Sequence, residues 1–585
     1  MFQANQQQNS IDYKVVVAYD FGTTFSGAAY AFTSTPAEVF HIQRWPHKAG
    51  KFYPKVPTLS VYPLRNPQQQ QQTGQSTLSH WGHSAIKKML DPQARKKNVL
   101  LSMFKLQLDE SLNLPPLENG LTPIQAVADY LAELHKHTME ELSVAFADIY
   151  SPDTFRYCLT VPALWSDRAK YLMRQASIQA GLITRSDPFD RLVLISEPEA
   201  AALYCEQTMG NQVQFQDNDR LMVCDVGGGT ADLIVFQVNF TDNADKRILK
   251  EVTKGIGESC GGVFLDERFY ELLQRKLGMR AMNKLKAREV SDLMDTFIDK
   301  IKPAFDGLND HYVTLPRSVA LNDLPTVLCA NDPGISEEGI IRFSSRELKE
   351  NVFDPIVDKI LSLIRLQYHQ IPDGRLNYLF LVGGFGSSRY LYKKIQSAFQ
   401  STGVKQIVCL AEHAALAVVR GAAYYGLNPH IVVSRVSRRT YGINYTAPFD
   451  NRIDPLSKRI VRPDGTIRCK NRFFTFVKKN EELPIDHCIR EDFFVYYGTQ
   501  KSINLVLYAT ENDTVPRYHD EPGVHQVATI TIPIPTIPGM RIKERLDHDV
   551  RMYFGSTEIR MEADFGTGII YDVNCVFDAI DNYGS

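Results

Sequence analysis

The chain has little charge of either sign to spare. Against 65 Lys and Arg stand 67 Asp and Glu, a formal net charge of −2 at pH 7, and no long basic run appears. That balance argues against nucleic acid or an anionic membrane as the main partner. No apolar run approaches the roughly 20 residues a membrane-spanning helix needs. The opening residues, Met1-Phe2-Gln3-Ala4-Asn5-Gln6-Gln7-Gln8-Asn9, lack the basic and apolar stretches of a secretory signal. The nine cysteines are scattered and none forms a Cys-x-x-Cys pair. Several, Cys158 and Cys224 among them, sit inside apolar runs and read as reduced core thiols. A cytoplasmic (or nuclear) protein is expected, without a disulfide framework or zinc site. His80 and His83 flank Trp81-Gly82 with no third ligand, so they do not read as a metal pair.

What is present is material for several cores: 585 residues, 44% of them hydrophobic, where a single core rarely grows past about 250–300 residues. One short pattern occurs twice. Val15-Val16-Val17-Ala18-Tyr19-Asp20-Phe21-Gly22-Thr23-Thr24 is followed by a second apolar run, Phe25 to Tyr30. Leu221-Met222-Val223-Cys224-Asp225-Val226-Gly227-Gly228-Gly229-Thr230 is followed by Ala231 to Phe236. Each copy predicts strand, tight turn and antiparallel strand. Glycine lets backbone N–H groups approach phosphate oxygens, and an aspartate at a strand end can face a hydrated divalent cation. One copy would be an ordinary glycine hairpin. Two, 205 residues apart, point to a duplicated phosphate-gripping fold.

Between and around them, strands and helices alternate to about residue 427, as in an α/β architecture. Ile124, Val127, Ala128, Leu131 and Leu134 mark one helix face. Tyr157 to Val161 reads as a buried strand, with Ser166 or Asp167 capping the next helix and Gly181 ending it. Leu192 to Ser196 reads as a strand leading through Glu197 into an alanine-rich helix, whose small side chains allow a close neighbour. Leu379-Phe380-Leu381-Val382 leads into Gly383-Gly384, and Glu412 to Gly426 reads as a last small-residue helix. Beyond Pro429 the texture becomes β-rich, at Val432-Val433, Phe474 to Val477, Phe493 to Tyr497, Ile503 to Tyr508 and Ile559 to Ala563. The expected domains are a disordered N-terminus (1–13), a first lobe (14–215), a second lobe (216–427) and a β-rich domain (435–585). A glutamine-rich stretch at 66–74 reads as an exposed loop.

Taken in order, these motifs resemble the ATPase domain of the seventy-kilodalton heat-shock chaperones, within the wider actin and hexokinase superfamily. Asp20 to Thr24 resembles the first phosphate motif. Thr160-Val161-Pro162-Ala163 and Glu197-Pro198-Glu199-Ala200-Ala201 resemble the first connecting segment. Asp225 to Asp232 resembles the second phosphate motif, Val382-Gly383-Gly384 the adenosine motif, and Arg420-Gly421-Ala422-Ala423 the second connecting segment. The resemblance implies a duplicated actin-like (ribonuclease-H-like) two-lobe ATPase domain over residues 14–427. Phe476 to Pro484 resembles an early strand of the chaperones' β-sandwich, so a smaller all-β, substrate-binding-like domain is expected to follow. With no long helical segment before Ser585, a divergent branch without the helical lid is implied.

The resemblance also implies a site. Gly22, Thr23, Thr24 and Phe25 from one side, and Gly227, Gly228, Gly229 and Thr230 from the other, would cradle the phosphates of ATP or ADP. Asp20 and Asp225 would hold hydrated Mg²⁺, mostly through water, with Asp232 behind them. Glu197 would orient the attacking water, and Lys105 would touch the transferring phosphate. Lys302, Gly383 and Gly384 would meet the adenosine, although Pro303 stands where an arginine is expected. The interdomain linker is reduced to Ile431-Val432-Val433. Beside this stand plainer roles: turn carboxylates for Asp20 and Asp225, a helix-start charge for Glu197, solvated amines for Lys105 and Lys302. The function implied is an ATP-binding, slowly hydrolysing chaperone-like protein whose lobes close on nucleotide, with a polypeptide client or protein partner at the β-domain. Two alternatives stand: a nucleotide-gated binding or scaffold protein without turnover, and a small-molecule kinase of the same superfamily.

Overall fold

The computed structural model describes residues 12–48, 54–65, 77–146, 151–241, 247–320, 323–325, 339–410, 414–462, 465–568, 570–573 and 575–577, without the side chains of 209–212. The polar residues 1–11, the glutamine-rich stretch 66–74 and Glu412 lie outside them. Tyr13, inside the stretch expected to be disordered, is buried, and its hydroxyl donates to Asp190 at 3.2 Å.

The fold is mixed α/β with several sheets. Strand Val15–Phe21 is buried at every residue, which explains why it reads as an unbroken apolar run and not as an alternation. It pairs antiparallel with Phe25–Phe32 and parallel with Phe155–Val161. The sheet runs Val39–His41, Phe25–Phe32, Val15–Phe21, Phe155–Val161, Leu192–Ser196, with Val56–Pro57 added against Phe25–Phe32. A second sheet repeats this order: Arg247–Glu258, Ala231–Phe240, Arg220–Val226, Tyr378–Val382, Gln406–Cys409. Its neighbours follow the same antiparallel, antiparallel, parallel, parallel series.

Each sheet carries on one face the helix that follows the other. Helix Glu197–Val213 leaves the first sheet and packs on Arg220–Val226 and Ala231–Phe240. Helix Ala414–Leu427 leaves the second and packs on Val15–Phe21 and Phe25–Phe32. The two helices cross so closely that a Cβ on Gly421 would lie 1.6 Å from the Ala200 carbonyl oxygen. Here the small residues allow the close approach expected of them. The opposite faces are covered by Pro123–Phe146 and Asp167–Gln179 on the first sheet, and by Gly262–Met282 and Asp354–His369 on the second. Ser166 caps Asp167–Gln179, accepting from the Ala169 N–H at 3.2 Å.

The second sheet does not stop at Arg247–Glu258. Strand Val432–Val436 joins it in parallel, and Glu482–Pro484 pairs with that strand in turn. Val432-Val433, expected with the β-rich tail, thus belongs to an α/β sheet, because its neighbour strand offers a free edge. The tail forms a six-stranded sheet, from Arg459–Val461 through Ile467–Val477, Thr440–Pro448, Ser502–Thr510 and Val524–Pro533 to Cys575–Phe577. A four-stranded sheet runs Cys488–Tyr496, Arg545–Tyr553, Arg560–Asp564, Ile570–Val573. They share one core, with Leu507 and Ile530 from the first and Val550 and Met552 from the second. Of the aromatics from Phe493 to Tyr497, only alternate members pack inward: Phe494 and Tyr496 are exposed. Cys488–Tyr496 is an edge strand with one face to solvent, so period two decides which rings are buried.

Candidate functional site

The two aspartates occupy the same position in their hairpins. Asp20 is the sixth residue of Val15–Phe21 and faces Gly27 across the pair; Asp225 is the sixth of Arg220–Val226 and faces Asp232. The turns that follow face each other. A Cβ on Gly228 would stand 2.2 Å from Thr24 Oγ1, and one on Gly229 3.0 Å from Thr23 Oγ1. Neither glycine has positive φ, so closeness and not backbone conformation demands glycine there.

Behind the second turn, the N–H groups of Gly262, Val263 and Gly261 take the carbonyls of Gly227, Gly228 and Gly229 at 3.0, 2.8 and 3.1 Å. Among the described residues the N–H groups of Thr23, Thr24, Gly228 and Gly229 donate to nothing. Both glycine/threonine turns thus carry backbone donors without a partner, groups of the kind that bind anionic oxygens. Phe25 opens the strand after the first turn and is 37% exposed.

A third glycine turn closes on the same point. Gly383, at φ +85°, would place a Cβ 2.3 Å from Asp225 Oδ1, and the N–H groups of Phe385 and Gly386 donate to the Val226 carbonyl at 2.9 and 3.1 Å. Gly384 has open space where a side chain would be.

The acids converge. Burial first, then the charges of Glu197, Asp232 and Asp20, push the Asp225 carboxyl far above its ordinary range, while Lys55 pulls it down. Burial and Glu197 push Asp232 up to about 7, against Thr230 and Lys105. Asp20 also accepts from Thr160 Oγ1 at 3.3 Å. Glu197 is the first residue of its helix, with Ser196 as cap and Pro198 in the first turn; that terminus favours negative charge. The Lys105 side chain is 1% exposed, and its ammonium is hydrogen-bonded to Glu197 Oε1 and lies 5.5 Å from the Trp165 ring. Lys105 is thus a buried partner of Glu197 and not a solvated lysine.

These groups fit a hydrated cation. Asp225 Oδ1 and Asp232 Oδ1 are buried with no hydrogen-bond partner, a costly state for carboxylate oxygens unless something cationic or wet meets them. Among the described residues no three ligating groups converge as a direct shell.

Lys302 is placed differently. Its ammonium donates to Asp266 at 2.6 Å and to the Gly262 carbonyl at 3.3 Å. It stands beside the helix that backs the second turn, already committed to an acid. Pro303 lies in the short helix Lys302–Ala304, directly after a π-turn at Phe297–Ile301.

Two residues of this region carry no motif signal. Lys55 hydrogen-bonds Asp20 Oδ2, brought there by strand pairing. Arg435 reaches Glu199, two residues after Glu197, at 2.7 Å, and the Gly555 carbonyl at 2.6 Å. No spacing in the sequence could have joined Glu199 to Arg435, 236 residues on.

No protein-family model matches the chain. Along almost its whole length it is similar to heat shock 70 kDa protein 12A of Homo sapiens, 26% identical over 94% of this chain and 89% of that protein. Similarity to heat shock 70 kDa protein 12B of Homo sapiens is the same in identity and coverage. Chaperone protein DnaK 3 of Synechococcus sp. is 26% identical over 50% of this chain and 40% of its own length.

Proposed function

The chain belongs to a divergent branch of the seventy-kilodalton heat-shock family, and from that premise we propose that it is an ATP-binding, slowly hydrolysing, chaperone-like protein. Two sheets of identical strand order, each bearing a glycine/threonine turn and an aspartate, support a two-lobe nucleotide domain. The observation that carries the reading is the meeting of those turns, Thr24 against Gly228 and Thr23 against Gly229, with their free N–H groups beside Asp20, Asp225, Asp232 and Glu197.

In this reading the backbone N–H groups of Thr23, Thr24, Gly228 and Gly229 would donate to the phosphates of ATP. Asp20 and Asp225 would hold the waters of Mg²⁺, which would offset the charge developing on the phosphates. Glu197 orients the attacking water, and Lys105 keeps that carboxylate in place while facing the transferring phosphate. Adenosine lies beside Gly383, Gly384 and the helix Gly262–Met282. Closure of the lobes would change the environment of Arg435 through Glu199, and with it the β-rich region. That region would hold a polypeptide client or protein partner.

A second reading, binding without turnover, draws on Lys302: held by Asp266, it is less free to meet the base than the resemblance implies. One experiment separates the two. Glu197→Gln should leave ATP binding within about threefold of the parent and slow single-turnover hydrolysis by ~10²-fold, the low end for a lost general base. A parent with no hydrolysis above background, yet tight ATP binding, would favour the nucleotide-gated binder.

A further inference from the structure

A cavity of about 290 Å³ lies where the β-rich region meets the rest of the chain. Its wall is drawn from the start of helix Asp167–Gln179, from strand Arg247–Glu258 and from the segment that follows strand Val432–Val436. The acids in that wall are already engaged. Glu199 accepts from Arg435 at 2.7 Å, and Glu511 from Arg439 at 3.1 Å. Asp167 Oδ2 accepts the Tyr441 hydroxyl at 2.7 Å. Glu251 accepts the Val436 N–H at 3.2 Å, and burial first pushes its carboxyl up to about 7, so near neutral pH it carries only part of a charge.

Two cations of the wall are not engaged. The Lys170 side chain is 15% exposed, and the acid oxygen closest to its ammonium among the described residues, Asp167 Oδ1, stands at 3.9 Å, beyond hydrogen-bond reach. The Arg438 guanidinium lies against Gly255, whose missing Cβ would stand 3.1 Å from Nη2. Among the described residues it has neither a hydrogen bond nor an ion pair. The two cations feel each other: burial first, and then the charge of Arg438, hold the Lys170 pKa below its ordinary value, against the pull of Asp167 and Glu199. Like charges withdrawn from water, with no acid hydrogen-bonded to either, are costly unless an anion meets them. The start of helix Asp167–Gln179, in the same wall, also favours negative charge.

We infer that this cavity binds a small multivalent oxyanion such as phosphate, held between the Lys170 ammonium and the Arg438 guanidinium. An ammonium offers three donors and a guanidinium five in a fixed fork, so the two can take different oxygens of one tetrahedral anion. Bound there, the anion ties helix Asp167–Gln179 to the segment after Val432–Val436. The cavity shares no residue with the facing turns, so the inference goes beyond the nucleotide reading and does not depend on it.

The plainer role is a wet seam whose cations meet only water. Calorimetric titration of the full chain with inorganic phosphate, beside sodium chloride at matched ionic strength, distinguishes the two. The parent should bind phosphate and not chloride, and phosphate should raise its melting temperature. Lys170→Met and Arg438→Gln should each weaken phosphate binding by about ten- to a hundredfold, the scale of a charge-assisted hydrogen bond. Arg438→Lys, which keeps the charge, should retain more of it than Arg438→Gln. Should Lys170→Met not fold, Lys170→Gln carries the same comparison. A parent that binds phosphate no better than chloride overturns the site. So does a Lys170→Met or Arg438→Gln variant that binds phosphate as tightly as the parent; phosphate held at the facing turns would give that result, since neither residue belongs to them.

Discussion

Glu251 and Arg435 meet where the second sheet, the strand Val432–Val436 and the β-rich region come together. Glu251 Oε2 accepts the Val436 N–H at 3.2 Å. Burial and then Glu199 push its carboxyl up to about 7, against the pull of Arg438 and Arg435. The folded chain therefore keeps a proton that the unfolded chain, with an ordinary carboxyl near 4.5, releases earlier. Stability is lost as pH rises between these values, and the penalty is complete above about 7; the full window is worth about 3 kcal/mol at most. Glu251→Gln should melt like the parent near pH 4.5 and clearly higher than it at pH 8. An equal offset at both pH values would remove Glu251 as the cause. At this scale the sequence was informative wherever chemistry is local. Asp20 with Gly22 to Thr24, Asp225 with Gly227 to Thr230, and Glu197 at a capped helix start each fit within one turn of chain. Lys55 was not legible, because only the pairing of Val56–Pro57 with Phe25 and Ser26 brings it to Asp20. Lys105 carried a weak signal for a similar reason: its partner Glu197 lies 92 residues away.

Helices Glu197–Val213 and Ala414–Leu427 hold the two sheets together through a contact with no room to spare. Gly421→Val would drive a branched side chain into the Ala200 carbonyl, and the helices would have to separate. Overpacking of this kind costs about 3 kcal/mol or more, so the variant should melt well below the parent or fail to accumulate folded. A melting point within a degree or two of the parent would contradict the crossing. The small residues around Ala200 and Gly421 made such a contact legible, since a helix face without bulk has few other uses. The exchange of helices between sheets was not, because it depends on which sheet each helix meets. Strand Val432–Val436 reads as β from its valines alone, but nothing local says which sheet it enters. The ring alternation from Phe493 to Tyr497 likewise follows from an edge position that composition does not disclose.

Across the whole molecule, the β-rich region is fastened to helix Asp167–Gln179 as well as to the second sheet. Arg174 grips Glu558 through two hydrogen bonds at 2.8 and 2.7 Å. Arg168 donates to the Phe577 carbonyl at 2.6 Å, and Tyr441 donates to Asp167 at 2.7 Å. The pair Glu199–Arg435 joins this seam to the helix that begins with Glu197. Nucleotide that moves Glu197 should therefore alter hydrogen exchange in the β-rich region, first around Gly555 and Tyr441. Identical protection with and without ATP would leave that region a passive scaffold. The repeated hairpin made the repeated strand order legible from sequence; this seam was beyond it, since Arg174 and Glu558, Arg168 and Phe577, and Asp167 and Tyr441 lie 384, 409 and 274 residues apart. All of it depends on nucleotide entering between the facing turns. Calorimetric titration of the full chain with ATP in Mg²⁺, beside Gly228→Val, tests that most directly. The parent should bind one equivalent of ATP, and the variant, whose side chain would strike Thr24 and hold the turns apart, should bind none. A variant that binds as tightly as its parent, or a parent that does not bind, would contradict the account.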